Sequence, residues 1–474
     1  MLRHRRPDRF TSRFGVLPTP LREHADPDLT GKGVTIAFLD TGFSSHPDLT
    51  RARNRILSYV DLTGENAPLD PRGSDQWHGT MTTVVAAGNG YLSGGIYRSI
   101  APEAELVLIK VDVAEDDILR GLEWVLANRE RYNIRVLNIS LGDGDDVAYQ
   151  HDPVEQAAEE CFRQGIAVVA AAGNAFEPDS HSNVPPCNSP GVLTVGGYSD
   201  LGQPDEEGIE IYAHHYGIDA DGFIKPEVIG PAAYVAAPIL PGMPVDRRSD
   251  AVFRLARAND QSLPRLVENL RQQAELPSWL SGLSPREIRA ALEQLAEQEK
   301  FVNPHYRHVD GTSFAAPIVS SIIAQMLQVN PSLSPAAIRH ILISTADRIA
   351  GTPNLMQGFG VVNARRAVTL ARHAHQPEAP AHQAPRVEGR ELVFTYQNPQ
   401  AREVFLAGEF NDWQYTRNPY AKIAEDIWRC RIQFAGKGPF RYKLVVDGRW
   451  LPDPANLRRE PDAFGNLNSV LDLS

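Results

Sequence analysis

Between residue 33 and about residue 200, short apolar runs alternate with amphipathic stretches, and this rhythm constrains the fold more than any other feature of the chain. VTIAFLD (34–40), ELVLIKVDV (105–113), VLNISLG (136–142), AVVAAAGN (167–174) and VLTVGG (192–197) read as strands buried on both faces. Between them DDILRGLEWVLANRERY (116–132) and DPVEQAAEECFRQG (152–165) read as helices, the second with an acidic first turn and a closing glycine. Alternation of this kind predicts an α/β fold, a parallel sheet sandwiched by helices. Ligands of such sheets bind beyond the carboxyl ends of the strands. Asp40, Ser140-Leu141-Gly142 and Gly173-Asn174 all fall at those ends.

Other segments break the rhythm. Residues 240–305 are polar and helix-prone, notably SPREIRAALEQLAEQEKF (284–301), where Ile288, Leu292, Leu295 and Phe301 share a face. In HVDGTSFAAPIVSSIIAQML (308–327), Ala315, Ile318, Val319, Ile322, Ile323, Met326 and Leu327 recur at helical spacing. That helix opens awkwardly, on Asp-Gly-Thr-Ser and with Pro317 in its second turn. After SPAAIRHILISTA (334–346) and NARRAVTLARH (363–373), residues 373–387 read as a semi-extended Ala/Pro/His linker. In the remainder, 388–474, IWRCRIQF (427–434) alternates strictly and FRYKLVVDG (440–448) ends on a hairpin signal, Asp447-Gly448. A small C-terminal antiparallel β-sandwich follows. The expected organisation is an N-terminal extension (1–30), a main domain (31–372) with a helical insertion (240–305), the linker and the sandwich.

Composition narrows the function. A formal net charge of −12 over 474 residues gives nucleic acid nothing to attract, so no nucleic-acid partner is expected. No run reaches the ~18 apolar residues that span a bilayer, so no membrane partner is expected either. The basic start MLRHRRPDRFTSRF has no apolar core behind it. Three scattered cysteines, Cys161, Cys187 and Cys430, fit neither a disulfide framework nor a zinc site and suit a reducing, cytoplasmic compartment. No cofactor is required and no metal site is expected. Calcium stays open, although no loop of spaced carboxylates identifies a place for it.

Three motifs carry chemistry. FLDTGFSSHPDL puts Asp40 at a strand end, WHGTMTTVVAAGNG puts His78 just before a small-residue helix, and DGTSFAAP puts Ser313 at a helix start. Singly, each reads better as a turn or cap. Together they supply a hydroxyl, an imidazole to deprotonate it and a carboxylate to fix the imidazole. On these motifs, with NISLG and AAAGN between them, residues 30–372 resemble the subtilisin-family serine proteases, whose Asp–His–Ser order they share. About thirty residues precede Gly31, too few for the secreted members' signal and prodomain, which resembles the intracellular branch. The resemblance implies Asp40 as orienting carboxylate, His78 as general base, Ser313 as nucleophile and Asn174 as oxyanion donor. It also implies Ser140, Leu141, Gly142, Ala171, Ala172 and Gly173 as edges binding an extended polypeptide substrate. RFGVLPTPL (13–21) is either a cleft-blocking extension or a frayed arm, and the 240–305 insertion is expected as a lid over the cleft, with a partner-binding helix as the rival reading.

EVFLAGEFNDWQ and FRYKLVVDGRWLPDP, with FGNLNSVL, resemble the family 48 carbohydrate-binding modules over about 388–474. That resemblance implies Trp413 and Trp450 as stacking platforms, Lys443, Asn466 and Asn468 as hydroxyl contacts and Phe464 as an apolar wedge. The implied function is a serine endopeptidase positioned on glycogen or a similar α-glucan. The alternative is a non-catalytic glucan-binding scaffold with a pseudoprotease domain. A polysaccharide-cleaving enzyme is third, since no paired carboxylates are placed for it.

Overall fold

The computed structural model describes residues 16–66, 68–69, 77–144, 147, 149–175, 184–201, 209–219, 223–272, 274–374, 385–388, 391–423, 427–433, 439–456, 458–462 and 466–471. The central sheet contains β1 (Thr35–Asp40), β2 (Ile56–Asp61), β3 (Glu105–Lys110), β4 (Ile134–Ile139), β5 (Ala167–Ala171), β6 (Leu193–Ser199) and β7 (Val228–Pro231). They lie in the order β7-β6-β5-β4-β1-β3-β2 and pair in parallel. Each face has its own core. From β1, Ile36 and Phe38 enter one apolar cluster while Ala37 and Leu39 enter the other, so a continuous apolar run is what the strand needs.

Helices α1 (Trp77–Ala87) and α7 (Thr312–Val329) cover the first face, and α2 (Glu115–Tyr132) and α3 (Pro153–Arg163) the second. By length and hydropathy α7 would suffice to cross a bilayer, against the reading of the sequence, but it is 83% buried as the central helix of the core.

The insertion folds as α4 (Pro244–Arg257), α5 (Leu263–Arg271) and α6 (Pro285–Gln298) around a core that includes Val252, Leu263, Leu280 and Leu292. Ser284 and Glu287 form a capping box that starts α6 where the sequence places it. The chain returns through β9 (Phe301–Asn303) and β10 (Tyr306–Val309), which joins β8 (Val235–Pro238). Tyr306 donates its hydroxyl to the buried Asp48 carboxylate, and Asn89, just past the end of α1, donates to Asp48 O (3.1 Å). These fastenings lie beyond the C-terminal end of α1. An 11-residue helix is about 16 Å long, which separates them from His78 at its other end. Tyr306, the residue that follows the insertion, is thus fastened beyond the C-terminal end of α1.

The N-terminal segment is fixed to the core. Val16 is buried beside Tyr97, Val302 and Tyr306. Arg22 pairs with Asp200 (3.0 and 2.5 Å) and donates to Ala233 O and Tyr234 O. Residues 16–22 form neither a cleft plug nor a frayed arm, because a buried guanidinium with every partner in place fixes them to the core. Residues 13–15 lie outside the described residues.

The C-terminal region is a pair of antiparallel sheets. One contains β11 (Glu391–Gln397) and β13 (Ile427–Gln433). The other contains β12 (Val404–Gly408), β14 (Phe440–Val446), β15 (Arg449–Leu451), β16 (Arg459–Pro461) and β17 (Leu467–Leu471). Trp428, Cys430 and Ile432 enter the shared core as the alternation predicts, and Phe434 lies outside the described residues. Asp447 and Gly448 both have positive φ (48° and 79°), the two-residue turn expected of that dipeptide. Arg459 of this region lies 4.3 Å above the Phe359 ring of the main domain and is 3% exposed. The sandwich therefore rests on the main domain.

Candidate active site

Asp40 ends β1 and His78 begins α1. Asp40 Oδ1 accepts from His78 Nδ1 (2.7 Å) and from the Thr41 backbone N–H (2.8 Å), and Asp40 Oδ2 accepts from Thr82 Oγ1 (3.0 Å). Gly79 permits this closeness, since a Cβ there would stand 2.4 Å from Gly42 O and 3.0 Å from the Asp40 Cβ. Burial of the ring opposes the imidazolium, but the charge and hydrogen bond of Asp40 together outweigh it and raise the His78 pKa above its ordinary 6.5.

Ser313 sits in the first turn of α7, where backbone N–H groups have no helical partner. Gly311 precedes it at φ +139°, a conformation other residues seldom adopt. Asn174 Oδ1 accepts from Thr312 N (3.0 Å) and Thr312 Oγ1 (3.2 Å), which holds its side chain at the opening of α7, the positive end of that helix.

Pro317 now has a reason. Having no N–H, it cannot bond the Ser313 carbonyl four residues back. That carbonyl instead accepts from Ser140 Oγ (3.0 Å). Ser140 Oγ in turn accepts from Asn138 Nδ2 (3.0 Å), and Asn138 Oδ1 accepts from Ser320 Oγ (3.0 Å). The end of β4 is thereby tied to the turn that carries Ser313. The motif NISLG is visible in the sequence, but this service of Asn138 and Ser320 is not.

Ser313 Oγ points to Ser140 O (3.3 Å), and among the described residues no hydrogen bond joins it to His78. The His78 ring stands 6.1 Å from the ring of the adjacent Phe314. Rotation about χ1 of Ser313 redirects the hydroxyl, and catalytic hydrogen bonds commonly tighten only with substrate present.

The strand edges named from the sequence flank Ser313. Ala172 donates to Val195 O (2.9 Å) and the Ala171 carbonyl accepts from Cys187 Sγ (3.0 Å). A Cβ on Gly142 would meet Pro185 O at 2.6 Å, so Val184–Cys187 packs against both edges. Leu141 and Gly173 complete them, and Gly173 takes φ +94°.

On the sandwich, Trp413 and Trp450 come together with ring centroids 6.4 Å apart, and Tyr415, which the sequence did not single out, adds a third ring 5.8 Å from Trp450. Trp450 is 44% exposed. Lys443 is buried and its Nζ lies 3.3 Å from Asp462 Oδ2; Asn468 is also buried, while Asn466 is exposed and held to Asp462. Phe464 lies outside the described residues.

Fold and site together define a hydrolase of the serine-protease type, and comparison with known proteins gives its family. The profile of the Subtilase family matches residues 31–360, and that of carbohydrate-binding module 48 (isoamylase N-terminal domain) matches 381–463. Serine protease AprX of Bacillus subtilis (strain 168) is 30% identical over 354 residues, 72% of this chain and 67% of its own length. Subtilisin BL of Lederbergia lenta is 28% identical over 346 residues, 72% of this chain and 92% of its own. The solved structure of fervidolysin from Fervidobacterium pennivorans aligns at a TM-score of 0.49 and 17% identity, covering 88% of this chain and 53% of that one. The chain belongs to the subtilase family of serine proteases and carries a family 48 carbohydrate-binding module.

Proposed function

We propose that this subtilase hydrolyses peptide bonds within polypeptides through Asp40, His78 and Ser313. The carrying observation is the 2.7 Å Asp40–His78 bond, with the His78 ring 6.1 Å from that of Phe314 in the first turn of α7. His78 takes the Ser313 proton as oxygen attacks the scissile carbonyl, and later gives it to the leaving amine. Asn174 Nδ2 and the Ser313 N–H hold the developing oxyanion. The peptide adds as a strand to Ser140–Gly142 and Ala171–Gly173. Nucleophile, base and oxyanion donors all come from the chain, so the reaction needs no cofactor. A fluorophosphonate probe is expected to label the wild type and leave Ser313→Ala unlabelled. Equal labelling of both would place the nucleophile elsewhere, and no labelling of either would favour the non-catalytic scaffold.

The family 48 module and its three gathered rings support a second element, recognition of an α-glucan such as glycogen. Flat indole faces suit the C–H side of a glucose ring, and each stacked ring is worth roughly 1 kcal/mol or more. The full chain is expected to sediment with glycogen, and the double variant Trp413→Ala/Trp450→Ala to stay in the supernatant. Co-sedimentation of that variant at the wild-type level would remove the assignment. The three buried, unpaired thiols support a reducing, cytoplasmic setting.

A further inference from the structure

One large side chain at the cleft is unused by this mechanism. Trp77 is the first residue of α1, directly before His78, and its indole is 45% exposed. Its ring stands edge-on to the His78 imidazole, 5.1 Å between centroids at 82°. Phe314, the imidazole's other aromatic neighbour, is 4% exposed. His78 therefore has a buried ring for one neighbour and an open ring for the other. Tryptophan turned to solvent beside a reacting centre leaves a broad apolar face uncovered, and such rings are the usual anchors of recognition surfaces.

The direction of the bound peptide says what covers it. Side chains alternate along an extended strand. On that reading the residue whose carbonyl meets Ser313 lies between the edges Ser140–Gly142 and Ala171–Gly173, above Val184–Cys187, which packs against both. The preceding residue then points the opposite way, out of that space. We infer that Trp77 is a specificity-determining residue whose exposed indole takes an apolar side chain, leucine or phenylalanine, at that preceding substrate position. The inference rests on the proposed triad reading and adds a preference to it.

The test uses the full chain as wild type, Trp77→Ala and Trp77→Phe with fluorogenic peptides that differ only at that position (Phe, Leu, Ala or Gly), and a second set varied just after the scissile bond. Wild type is expected to favour Phe and Leu over Gly by about tenfold in kcat/KM, the scale on which an apolar pocket discriminates. Trp77→Ala is expected to lower kcat/KM for the Phe and Leu peptides by about tenfold, through KM, and so erase their advantage over the Gly peptide. Trp77→Phe retains most of the preference. A uniform loss across all peptides would show Trp77 acting only through His78 and overturn the inference, as would an unchanged preference or one that moves to the second peptide set. An enzyme that labels at Ser313 but shows no Trp77-dependent preference sinks this inference alone; one that does not label sinks the triad reading along with it.

Discussion

Replacing Ser313 with alanine is expected to lower kcat for a peptide substrate by about 10⁶-fold, with KM and the unfolding temperature nearly unchanged. The size of the loss is the one measured for the corresponding deletion in subtilisin, a member of this family. The geometry says why the loss is confined to chemistry. The turn carrying Ser313 is held by its backbone and neighbours: Ser140 Oγ on the Ser313 carbonyl, Asn174 Oδ1 on Thr312, and the bond from Phe314 N to Gly311 O. None of these uses the Ser313 side chain. The oxyanion donors therefore survive, and a residual 10³–10⁴-fold acceleration over water is expected from them and from substrate binding. His78→Ala should cost about as much, and the double variant little more, because the two groups act as one unit. Steady-state kinetics beside a thermal melt decide the matter. A Ser313→Ala enzyme retaining a hundredth of its rate would mean that another nucleophile does the work, whereas a collapsed melt would mean that the hydroxyl holds the fold.

What is legible in the sequence follows from how local each signal is. β1 announces itself because both faces are buried, so every residue from Thr35 to Asp40 is enclosed. The Asp447-Gly448 turn and the Ser284 cap are likewise decided within four residues. β2 escapes notice because it ends the sheet and is only partly buried, which breaks the apolar run that marks its neighbours. β7 escapes too, since four residues ending in Pro231 carry little strand signal. The N-terminal segment and the insertion are hard to place for a different reason. Arg22 finds Asp200 178 residues away, and Tyr306, just past the insertion, finds Asp48 258 residues away. Nothing near Arg22 in the sequence names its partner. The Asp, His and Ser motifs are legible as types, whereas the Asn138–Ser320 bond that seats them spans 182 residues and is not. Pro317 stands between these cases: its oddity shows in the sequence, and its purpose shows only when Ser140 arrives at the carbonyl it has left free.

Removing Asp40 separates orientation from charge. Asp40→Ala is expected to cost about 10⁴-fold in kcat, again on the scale measured in subtilisin. Asp40→Asn is expected to cost less, and the hydrogen bonds say why. Oδ1 accepts from both His78 Nδ1 and Thr41 N, so an asparagine keeps its carbonyl oxygen there, since an NH₂ group would face two donors. Its NH₂ then meets Thr82 Oγ1, whose hydrogen turns wholly to Gly79 O (3.0 Å). The imidazole keeps the tautomer that catalysis needs and loses only the charge opposite it. Both variants should share one further effect. The general base works when neutral, so activity rises as pH passes the His78 pKa, which Asp40 raises above the ordinary value. Without the carboxylate only burial remains, and burial lowers it. The acid limb of kcat/KM should therefore move to lower pH in both variants, even as the plateau falls. A limb that stays in place would mean that Asp40 is not the charge His78 answers to. An asparagine variant as slow as the alanine variant would mean that the charge, rather than the orientation, carries nearly all of the contribution.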